Sequence, residues 1–263
     1  MIMELGKGVL AEGTLIARYT VEGGDPCVGR VTPEGLEALG MGGRPTGEVR
    51  SAESVRFDVP FSPTKIWCVG ANYSEHIKET GSPFPDEPQI FMKPLTAVSA
   101  HGATIAMPSW AGRVDYEGEL AVVVKDLCKN VDESEALDHV LGYTCFNDVT
   151  ARELQAKDRQ WIRGKGFDGF APFGPYLLLA KSMPGTAMLT TRHNGKIVQS
   201  SPLSDMLFSV AQIISFISRF ATLEPGDLIA TGTPSGIAPI ADGDVVEVTI
   251  DGIGTLSNRY VKV

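Results

Sequence analysis

The feature that most constrains the fold of this chain is its unequal share of helix and strand periodicity. Residues 204–221 repeat apolar side chains with the 3.6-residue period of an amphipathic helix, at positions 206, 207, 210, 213, 214, 217 and 220. Most other apolar segments are short, alternating or rich in β-branched residues, and end at glycine, proline or asparagine. Because the few helical segments do not alternate regularly with strands, we predict a mixed α+β fold, mainly β, with a few packed helices rather than a doubly wound parallel sheet.

The pattern divides the chain into two predicted regions. Residues 1–58 contain two short predicted strands, in TLIARYTVEGG and CVGRVTPEG, and lead into the polar segment RPTGEVRSAESVRFDVPFSPTK, which we interpret as a connection. We therefore predict a small β-rich N-terminal subdomain at 1–58 and a main domain at 59–263. In the main domain KIWCVG, ELAVVV and YTCFND read as strands, and hairpin or turn signals occur at Asn194-Gly195 and Asp251-Gly252.

Three shorter helices are predicted in the main domain. They lie in SEHIKETG, DESEALDHVLG and TARELQAKD, and each begins near a residue that commonly caps helices: Ser74, Asp132 or Thr150.

Composition narrows the class of protein. The chain has 263 residues, of which 43% are hydrophobic, and a formal net charge of −9. This acidity argues against nucleic acid and against anionic membrane as partners. The four cysteines are far apart and form no C-x-x-C pair, so we predict neither a disulfide framework nor a zinc site, and a reducing cytoplasm is the expected compartment. No secretory signal and no apolar run of the ~20 residues that span a bilayer is evident.

The segment DYEGELAVVV begins a predicted buried strand with two carboxylates. Residues alternate between the faces of a strand, so Glu117 and Glu119 should project from one face, within ~7 Å of each other. A divalent cation would relieve the repulsion between them, whereas a solvated strand end would tolerate it without a metal. Both interpretations remain open from the pair alone.

Asp148 is a third candidate ligand, since it ends the apolar strand YTCFND just before a predicted helix. A helix cap is the structural alternative, although Asn147 and Thr150 could also serve as caps. Three carboxylates form an all-oxygen site that suits Mg²⁺ or Mn²⁺, with Ca²⁺ as a substitute, better than zinc. The four histidines form no metal-binding spacing.

Further candidates lie in three other motifs. His76 and Glu79 are three residues apart in NYSEHIKETG, a spacing at which a carboxylate can orient an imidazole as a general base, or at which both are ordinary surface neighbours. Lys165, in the glycine- and aromatic-rich RQWIRGKGFDGFAPFGP, is a candidate cation for an anionic substrate or a plain surface lysine. Thr233, in ATGTPSG, offers a hydroxyl for a substrate carboxylate, or belongs to a simple turn.

Taken in order, six motifs resemble the fumarylacetoacetate hydrolase family: GANYSEHIKE, IFMKP, DYEGELAVVV, GYTCFNDVTARELQ, KGFDGFAPFGP and ATGTPSG. The resemblance spans about residue 60 to the C-terminus. It implies a β-sandwich roll around a Mg²⁺ or Mn²⁺ ion, and a homodimer. Matched motif by motif, it implies the metal ligands Glu117, Glu119 and Asp148, the catalytic residues His76, Glu79 and Lys165, and the substrate contacts Arg152, Gln155, Thr233 and Lys93, the last with structural support as an alternative role.

The sequence departs from the fumarylacetoacetate hydrolases proper, because IWCVGANY lacks the further acidic ligand that they carry before the histidine motif. It is more similar to the subgroup that acts on acylpyruvates, oxaloacetate or 2-hydroxyhepta-2,4-diene-1,7-dioate. We expect hydrolytic C–C cleavage of a fumarylpyruvate-like acylpyruvate, with decarboxylation or isomerisation on the same site as alternatives. A non-catalytic metal-binding β-protein is the alternative of another class.

Overall fold

The computed structural model describes residues 10–263. It contains twenty strands: β1 (Leu15–Thr20), β2 (Pro26–Thr32), β3 (Gly35–Leu39), β4 (Pro45–Arg50), β5 (Arg56–Phe57), β6 (Ile66–Gly70), β7 (Gln89–Lys93), β8 (Val98–Ser99), β9 (Thr104–Met107), β10 (Val114–Asp115), β11 (Gly118–Val124), β12 (Val140–Asn147), β13 (Thr150–Ala151), β14 (Ala171–Pro172), β15 (Tyr176–Leu179), β16 (Met188–His193), β17 (Lys196–Pro202), β18 (Leu228–Ala230), β19 (Val245–Ile250) and β20 (Gly254–Lys262). The α-helices are α1 (Ser74–Thr80), α2 (Glu133–Ala136), α3 (Arg152–Lys157), α4 (Ile162–Lys165) and α5 (Val210–Phe220).

Two sheets contain most of the strands. The larger has eleven strands in the order β4-β3-β2-β1-β15-β12-β11-β18-β6-β7, with β5 also paired to β1, and the smaller has the order β17-β16-β19-β20-β9. One face of β11 and β12 packs against the smaller sheet and against α5. Side chains on the other face form a second apolar cluster together with side chains of β1, β6 and β15, which belong to the same sheet. The predicted mixed α+β, mainly β fold is confirmed.

Strand β11 lies at the centre of this arrangement. All seven of its residues are buried, and it pairs antiparallel with β12 on one side and β18 on the other. A strand that is covered on both faces reads as a continuous apolar run, as Leu120–Val124 does. The carboxylates at its start are therefore carried by one of the most enclosed elements of the molecule.

The predicted long helix is shorter than its periodicity indicates. Residues 203–205 form a 3₁₀ turn, and α5 begins only at Val210, after the N-cap Ser209. In the intervening chain, Asn72 bonds the backbone of Phe208 on both sides, accepting from its N–H at 2.8 Å and donating to its C=O at 3.0 Å, so that Phe208 stays outside the helix. A long-range contact thus prevents a locally favourable helix.

The prediction that residues 44–65 form a connection is also wrong in part. Its first half forms β4, which pairs antiparallel with β3 as an exposed edge of the large sheet, and its second half includes β5. Charged and glycine-containing sequence is typical of such edge strands, which makes them difficult to distinguish from loops.

The starts of the shorter helices differ from the predicted caps. Ser74 is the first residue of α1 rather than its cap, and Thr150 belongs to β13, two residues before α3. Asp132 is at the N-cap of α2, but its side chain makes no capping hydrogen bond. The hairpin at Asn194-Gly195 is confirmed, since both residues have positive φ between β16 and β17.

Strands β1 to β4 continue the large sheet through antiparallel pairing of β1 with β15. Residues 1–9 of the predicted N-terminal subdomain lie outside the described residues, and the boundary at residue 58 stays a prediction. No helix in residues 10–263 has the length and apolar character needed to cross a membrane.

We expect Ser209→Ala to destabilise the protein by about 1 kcal/mol, which lowers the melting temperature by roughly 2 °C. The Ser209 side chain accepts from Gln212 N–H, and the Gln212 side chain accepts from Ser209 N–H, so the substitution removes the first bond of a capping box and keeps the second. Thermal unfolding checks the change. Ser209→Asp, which keeps the acceptor, is the control, and an equal loss in both variants would show that the cap is not the cause.

Candidate active site

The first two predicted ligands are positioned by the end of β11. Glu117 immediately precedes this strand and Glu119 lies in it, with relative exposures of 5% and 1%. Two hydrogen bonds of the Glu117 backbone fix this strand end against the end of β12. Glu117 N–H donates to the side-chain oxygen Oδ1 of Asn147 at 2.8 Å, and Asp148 N–H donates to Glu117 C=O at 2.9 Å. The strand register therefore brings Asp148 beside the glutamate pair.

Gly118, between the two glutamates, has no room for a side chain. A Cβ atom at this position would lie 2.1 Å from Thr191 Oγ1 of the smaller sheet. The smaller sheet therefore lies directly against Gly118, which leaves the side chains of Glu117 and Glu119 to project from the opposite side.

Glu117, Glu119 and Asp148 can each offer one carboxylate oxygen such that the three atoms lie within 4.8 Å of one another. All three residues are buried. Three hard oxygen donors at this separation fit Mg²⁺ or Mn²⁺, and they also fit Ca²⁺. The geometry is thus consistent with the predicted metal site.

Lysine side chains accompany two of the three carboxylates. Lys165 Nζ donates to Glu117 Oε2 at 2.7 Å and to Asp148 Oδ2 at 2.6 Å, and Lys93 pairs with the other oxygen of Asp148. Lys93 also donates to Val149 C=O at 3.0 Å and is fully enclosed. These contacts match structural support of Asp148, the alternative role that the sequence left open for Lys93.

Arg152 connects the cluster to a fourth buried carboxylate. Its guanidinium donates to Glu117 Oε1 at 2.6 Å, to Asp115 Oδ2 at 2.9 Å and to Gln155 Oε1 at 2.8 Å. Asp115 is completely buried and also accepts from Arg113. The sequence assigned no role to Asp115, and its position shows that it orients Arg152.

These neighbours give the two glutamates opposite protonation behaviour. Burial by itself favours the neutral form of Glu117, but the charges of Lys165 and Arg152 outweigh it and hold the pKa of Glu117 well below its usual range. Burial raises the pKa of Glu119 well above its usual range, and repulsion from Asp148 and Glu117 adds to that effect. Glu119 is therefore the carboxylate of the group that lacks a compensating cation.

The lysines respond to the same field. Burial opposes the charged form of Lys165, yet Asp148 and Glu117 together raise the pKa of Lys165 above its ordinary value. For Lys93 burial prevails over the attraction of Asp148 and lowers its pKa. Lys165 is thus a firmly charged ammonium at the carboxylate cluster.

The hydrogen bonding of Glu119 also fits a cation. Within residues 10–263 its one hydrogen-bond donor is Gly232 N–H, at 2.8 Å from Oε2. A buried carboxylate normally requires more compensation than one neutral donor. A divalent ion held by Glu117, Glu119 and Asp148 would supply it, so the residues present fit the metal that the resemblance implies.

The predicted dyad is formed on α1. His76 Nδ1 lies 3.2 Å from Glu79 Oε2, and both oxygens of Glu79 accept from Gly236 N–H, at 3.0 and 3.2 Å. His76 is only 8% exposed, which argues against the surface interpretation. With Nδ1–H donating to the carboxylate, Nε2 is left as a proton acceptor.

One cavity of about 370 Å³ unites these groups. The three predicted metal ligands line it, and so do five other predicted site residues: His76, Arg152, Gln155, Lys165 and Thr233. Glu79 and Lys93 do not line the cavity themselves, but each contacts a residue that does: Glu79 contacts His76, and Lys93 contacts Asp148. Among residues 10–263, the predicted site residues therefore converge on a single place, although they come from separate segments of the chain.

Thr233 is held by a residue that the sequence did not indicate. Its Oγ1 donates to Gly118 C=O at 2.8 Å and accepts from Gln199 Nε2 at 2.9 Å, while Gln199 Oε1 accepts from Gly118 N–H at 3.1 Å. Gln199 lies in β17 of the smaller sheet, in the alternating segment KIVQS. Gln199 is only 1% exposed, but nothing in the alternation of that segment distinguishes Gln199 from a solvent-facing glutamine.

We expect Glu119→Gln to stabilise the metal-free protein and to abolish its stabilisation by Mn²⁺. The amide removes one repelled buried charge but also one of three metal ligands, whereas Mn²⁺ at 100 times its dissociation constant should stabilise the wild type by about 2.7 kcal/mol. Melting temperatures with and without Mn²⁺ check both effects. Glu133→Gln, at an exposed position of α2, is the control; a Mn²⁺ shift preserved in Glu119→Gln would contradict the assignment.

Comparison with known proteins agrees with this geometry. The oxaloacetate tautomerase YisK of Bacillus subtilis is 41% identical to this chain over 223 residues, which are 80% of this chain and 74% of that protein. The structure of a 2-hydroxyhepta-2,4-diene-1,7-dioate isomerase from Mycobacterium marinum matches with a TM-score of 0.83 and 38% identity, and covers 95% of this chain and 98% of that one.

A third similar protein is a fumarylpyruvate hydrolase from Pseudomonas aeruginosa, whose structure was solved in complex with Mn²⁺ and pyruvate. It matches with a TM-score of 0.72 and 34% identity, over 78% of this chain and 99% of that one. The profile of the fumarylacetoacetate (FAA) hydrolase C-terminal family matches residues 65–261. Sequence motifs, fold and family profile thus agree, and the chain belongs to the fumarylacetoacetate hydrolase family.

Proposed function

We propose that the protein is a divalent-metal-dependent hydrolase that cleaves the C3–C4 bond of an acylpyruvate. Water and the acylpyruvate yield a carboxylic acid and pyruvate. The observation that carries this proposal is that His76, oriented by Glu79, lines the same cavity as three buried carboxylates. A general base and a cation site are the two components that such a hydrolysis needs.

Glu117, Glu119 and Asp148 would hold the metal, for which we propose Mg²⁺ or Mn²⁺. The Mn²⁺ and pyruvate bound to the similar fumarylpyruvate hydrolase support this choice. When bound, the cation would polarise the substrate oxygens and favour negative charge on them. The remaining chemistry falls to the side chains of the chain itself.

His76 accepts a proton at Nε2 from a water molecule, whose oxygen then forms a bond to the C4 carbonyl carbon. The C3–C4 bond breaks, and its electron pair goes to C3 as the enolate of pyruvate. The proton held by His76 is delivered to C3, so pyruvate and the carboxylic acid are the balanced products. Glu79 keeps the imidazole in the required tautomer and stabilises its charged form.

The cationic side chains act on the anionic groups of the substrate. Lys165 Nζ, on the cavity wall beside Glu117 and Asp148, is suited to stabilise the oxyanion that water addition creates at C4. Arg152 and Gln155 line the cavity with N–H donors for the substrate carboxylate, and Thr233, whose hydroxyl proton is directed at Gly118 C=O, lines it as a further candidate contact. Their substrate contacts stay predictions.

Keto–enol tautomerisation of oxaloacetate is a second candidate function. The 41% identity with a protein named oxaloacetate tautomerase favours it, and the isomerase among the similar structures points the same way. Such a reaction needs the enolate of a 2-oxo acid and proton transfer, but it needs no water addition. Decarboxylation of oxaloacetate would pass through the same enolate. Homodimer formation also stays a prediction.

We expect the Mn²⁺-loaded protein to release pyruvate from at least one acylpyruvate, and EDTA to abolish the release until Mn²⁺ is restored. Acetylpyruvate, fumarylpyruvate, oxaloacetate and a dienedioate form the panel, with products identified by mass. Incorporation of one oxygen from ¹⁸O-water into the carboxylic acid identifies hydrolysis. Isomerised or decarboxylated products without this incorporation would instead support the second candidate.

We expect His76→Asn to lower kcat for hydrolysis by 10² to 10⁴, the usual range for a general base. Binding of Mn²⁺, measured by calorimetry, should remain unchanged because His76 is not among the three predicted ligands. His139→Asn, which removes the histidine paired with Asp126 outside the cavity, is the control. Turnover that survives His76→Asn would overturn the proposed base, and the absence of turnover in the wild type would favour a non-catalytic metal-binding protein.

A further inference from the structure

The wall of the cavity changes character with distance from the carboxylate cluster. Lys165 Nζ lies 5.0 Å from the centre of the Phe91 ring. The Phe91 ring in turn contacts Trp161 edge to face, with centroids 5.1 Å apart. Both rings line the cavity. An aromatic wall, which we define as Phe91 and Trp161, therefore leads away from the charged end of the site.

Gly70 makes this aromatic wall possible. A Cβ atom on Gly70 would lie 2.9 Å from the ring of Trp161, so any side chain there would displace the indole. Gly70 is the last residue of β6, and Trp161 comes immediately before α4. The backbone of one strand thus serves as the surface on which the tryptophan rests.

At the aromatic end of the cavity, the described residues offer no lining cation that is not already paired with a carboxylate. Among the residues described, the cations that line the cavity are Arg152 and Lys165, and both are bonded to the carboxylate cluster. The other polar side chains near the wall are neutral, and one of them, Gln89, lies close to Gly70.

Two further cations lie near Trp161 in sequence. Arg163 is paired with Asp158, and Arg159 is exposed; neither lines the cavity. Lys78 of α1 is paired with Glu75 and is likewise outside the lining. The aromatic wall therefore offers dispersion and stacking. Lys165, the lining cation that lies over the Phe91 ring, is already paired with Glu117 and Asp148.

The charge balance of the inner site leads to the same conclusion. The metal-binding carboxylates and the residues ion-paired around them match in number, with four carboxylates, Asp115, Glu117, Glu119 and Asp148, against four cations, Lys93, Arg113, Arg152 and Lys165. Glu79, beside His76, adds a further carboxylate. A divalent ion would add two positive charges. The carboxylate of a 2-oxo acid and its enolate oxygen would neutralise both, so a second carboxylate would be uncompensated in a partly enclosed cavity.

We infer that the physiological substrate is a monocarboxylate whose distal substituent is uncharged and apolar, seated against Phe91 and Trp161. This inference rests on the proposed function for the 2-oxo-acid end of the substrate and adds the chemistry of the other end. It selects apolar or aromatic acylpyruvates over dicarboxylates such as fumarylpyruvate and oxaloacetate. Trp161 is the residue that determines this specificity.

Binding of two unreactive probes to the Mn²⁺-loaded protein tests the inference without turnover. 2-Oxo-4-phenylbutanoate carries an aromatic distal end, and 2-oxoadipate carries a carboxylate. We expect a dissociation constant at least tenfold lower for the phenyl compound, measured by calorimetry. Equal affinities, or tighter binding of 2-oxoadipate, would overturn the inference.

Variants assign the effect to the wall. Trp161→Ala should weaken binding of the phenyl probe at least tenfold and leave 2-oxoadipate within about twofold, and Gln89→Lys should strengthen binding of 2-oxoadipate. Trp110→Ala removes a 65% exposed tryptophan outside the lining and should change neither. If Arg159→Ala instead weakened 2-oxoadipate alone, a distal cation would exist and the inference would fail.

Turnover separates this inference from the proposed function. If benzoylpyruvate is hydrolysed with a kcat/KM at least tenfold above that of fumarylpyruvate, the hydrolase assignment and the inference about the distal substituent both stand. If fumarylpyruvate is the better substrate, the inference fails and the hydrolase assignment survives. If no acylpyruvate is cleaved while the phenyl probe still binds more tightly, the hydrolase assignment fails and the wall specificity stands.

Discussion

The concentration of buried negative charge around Glu117, Glu119 and Asp148 is the constraint on which the rest of this structure depends. Carboxylates at this separation in an enclosed place repel one another strongly, and burial removes the water that would screen them. Lysines and arginines pair with Asp115, Glu117 and Asp148, but none pairs with Glu119 among the described residues. That exception leaves a site with the charge and the donor atoms for one divalent cation.

Such a cluster needs rigid support, and the sheets provide it. Strand β11 is buried on both faces, and the close approach of Thr191 to Gly118 leaves the strand little freedom to move. Two other candidate site residues come from short helices: His76 from a seven-residue helix, and Lys165 from a four-residue helix. The three candidate ligands thus lie in β11 or directly beside the ends of β11 and β12, whereas the candidate catalytic groups lie on short helices that place their side chains at the cavity.

The sequence indicated the three candidate metal ligands because their signal is local. Two carboxylates at the mouth of an apolar strand, and a third at the end of another, are visible without knowing how the strands pair. The supporting residues are less visible, because Asp115, Asn72 and Gln199 owe their roles to partners far away in the chain. The same reason explains the misplaced start of α5 and the unrecognised strand β4, both of which depend on long-range contacts.

The two ends of the cavity are subject to different physical demands. The carboxylate end must balance several buried charges at once, so a change to any one of them disturbs the others. The aromatic end depends on the space above Gly70 and on one indole ring, neither of which participates in the charge balance. Substitutions there would leave the ion pairs of the carboxylate cluster in place, so the two ends can vary independently of each other. Similar proteins are named as a tautomerase, an isomerase and a hydrolase, so membership of the family does not by itself fix the reaction.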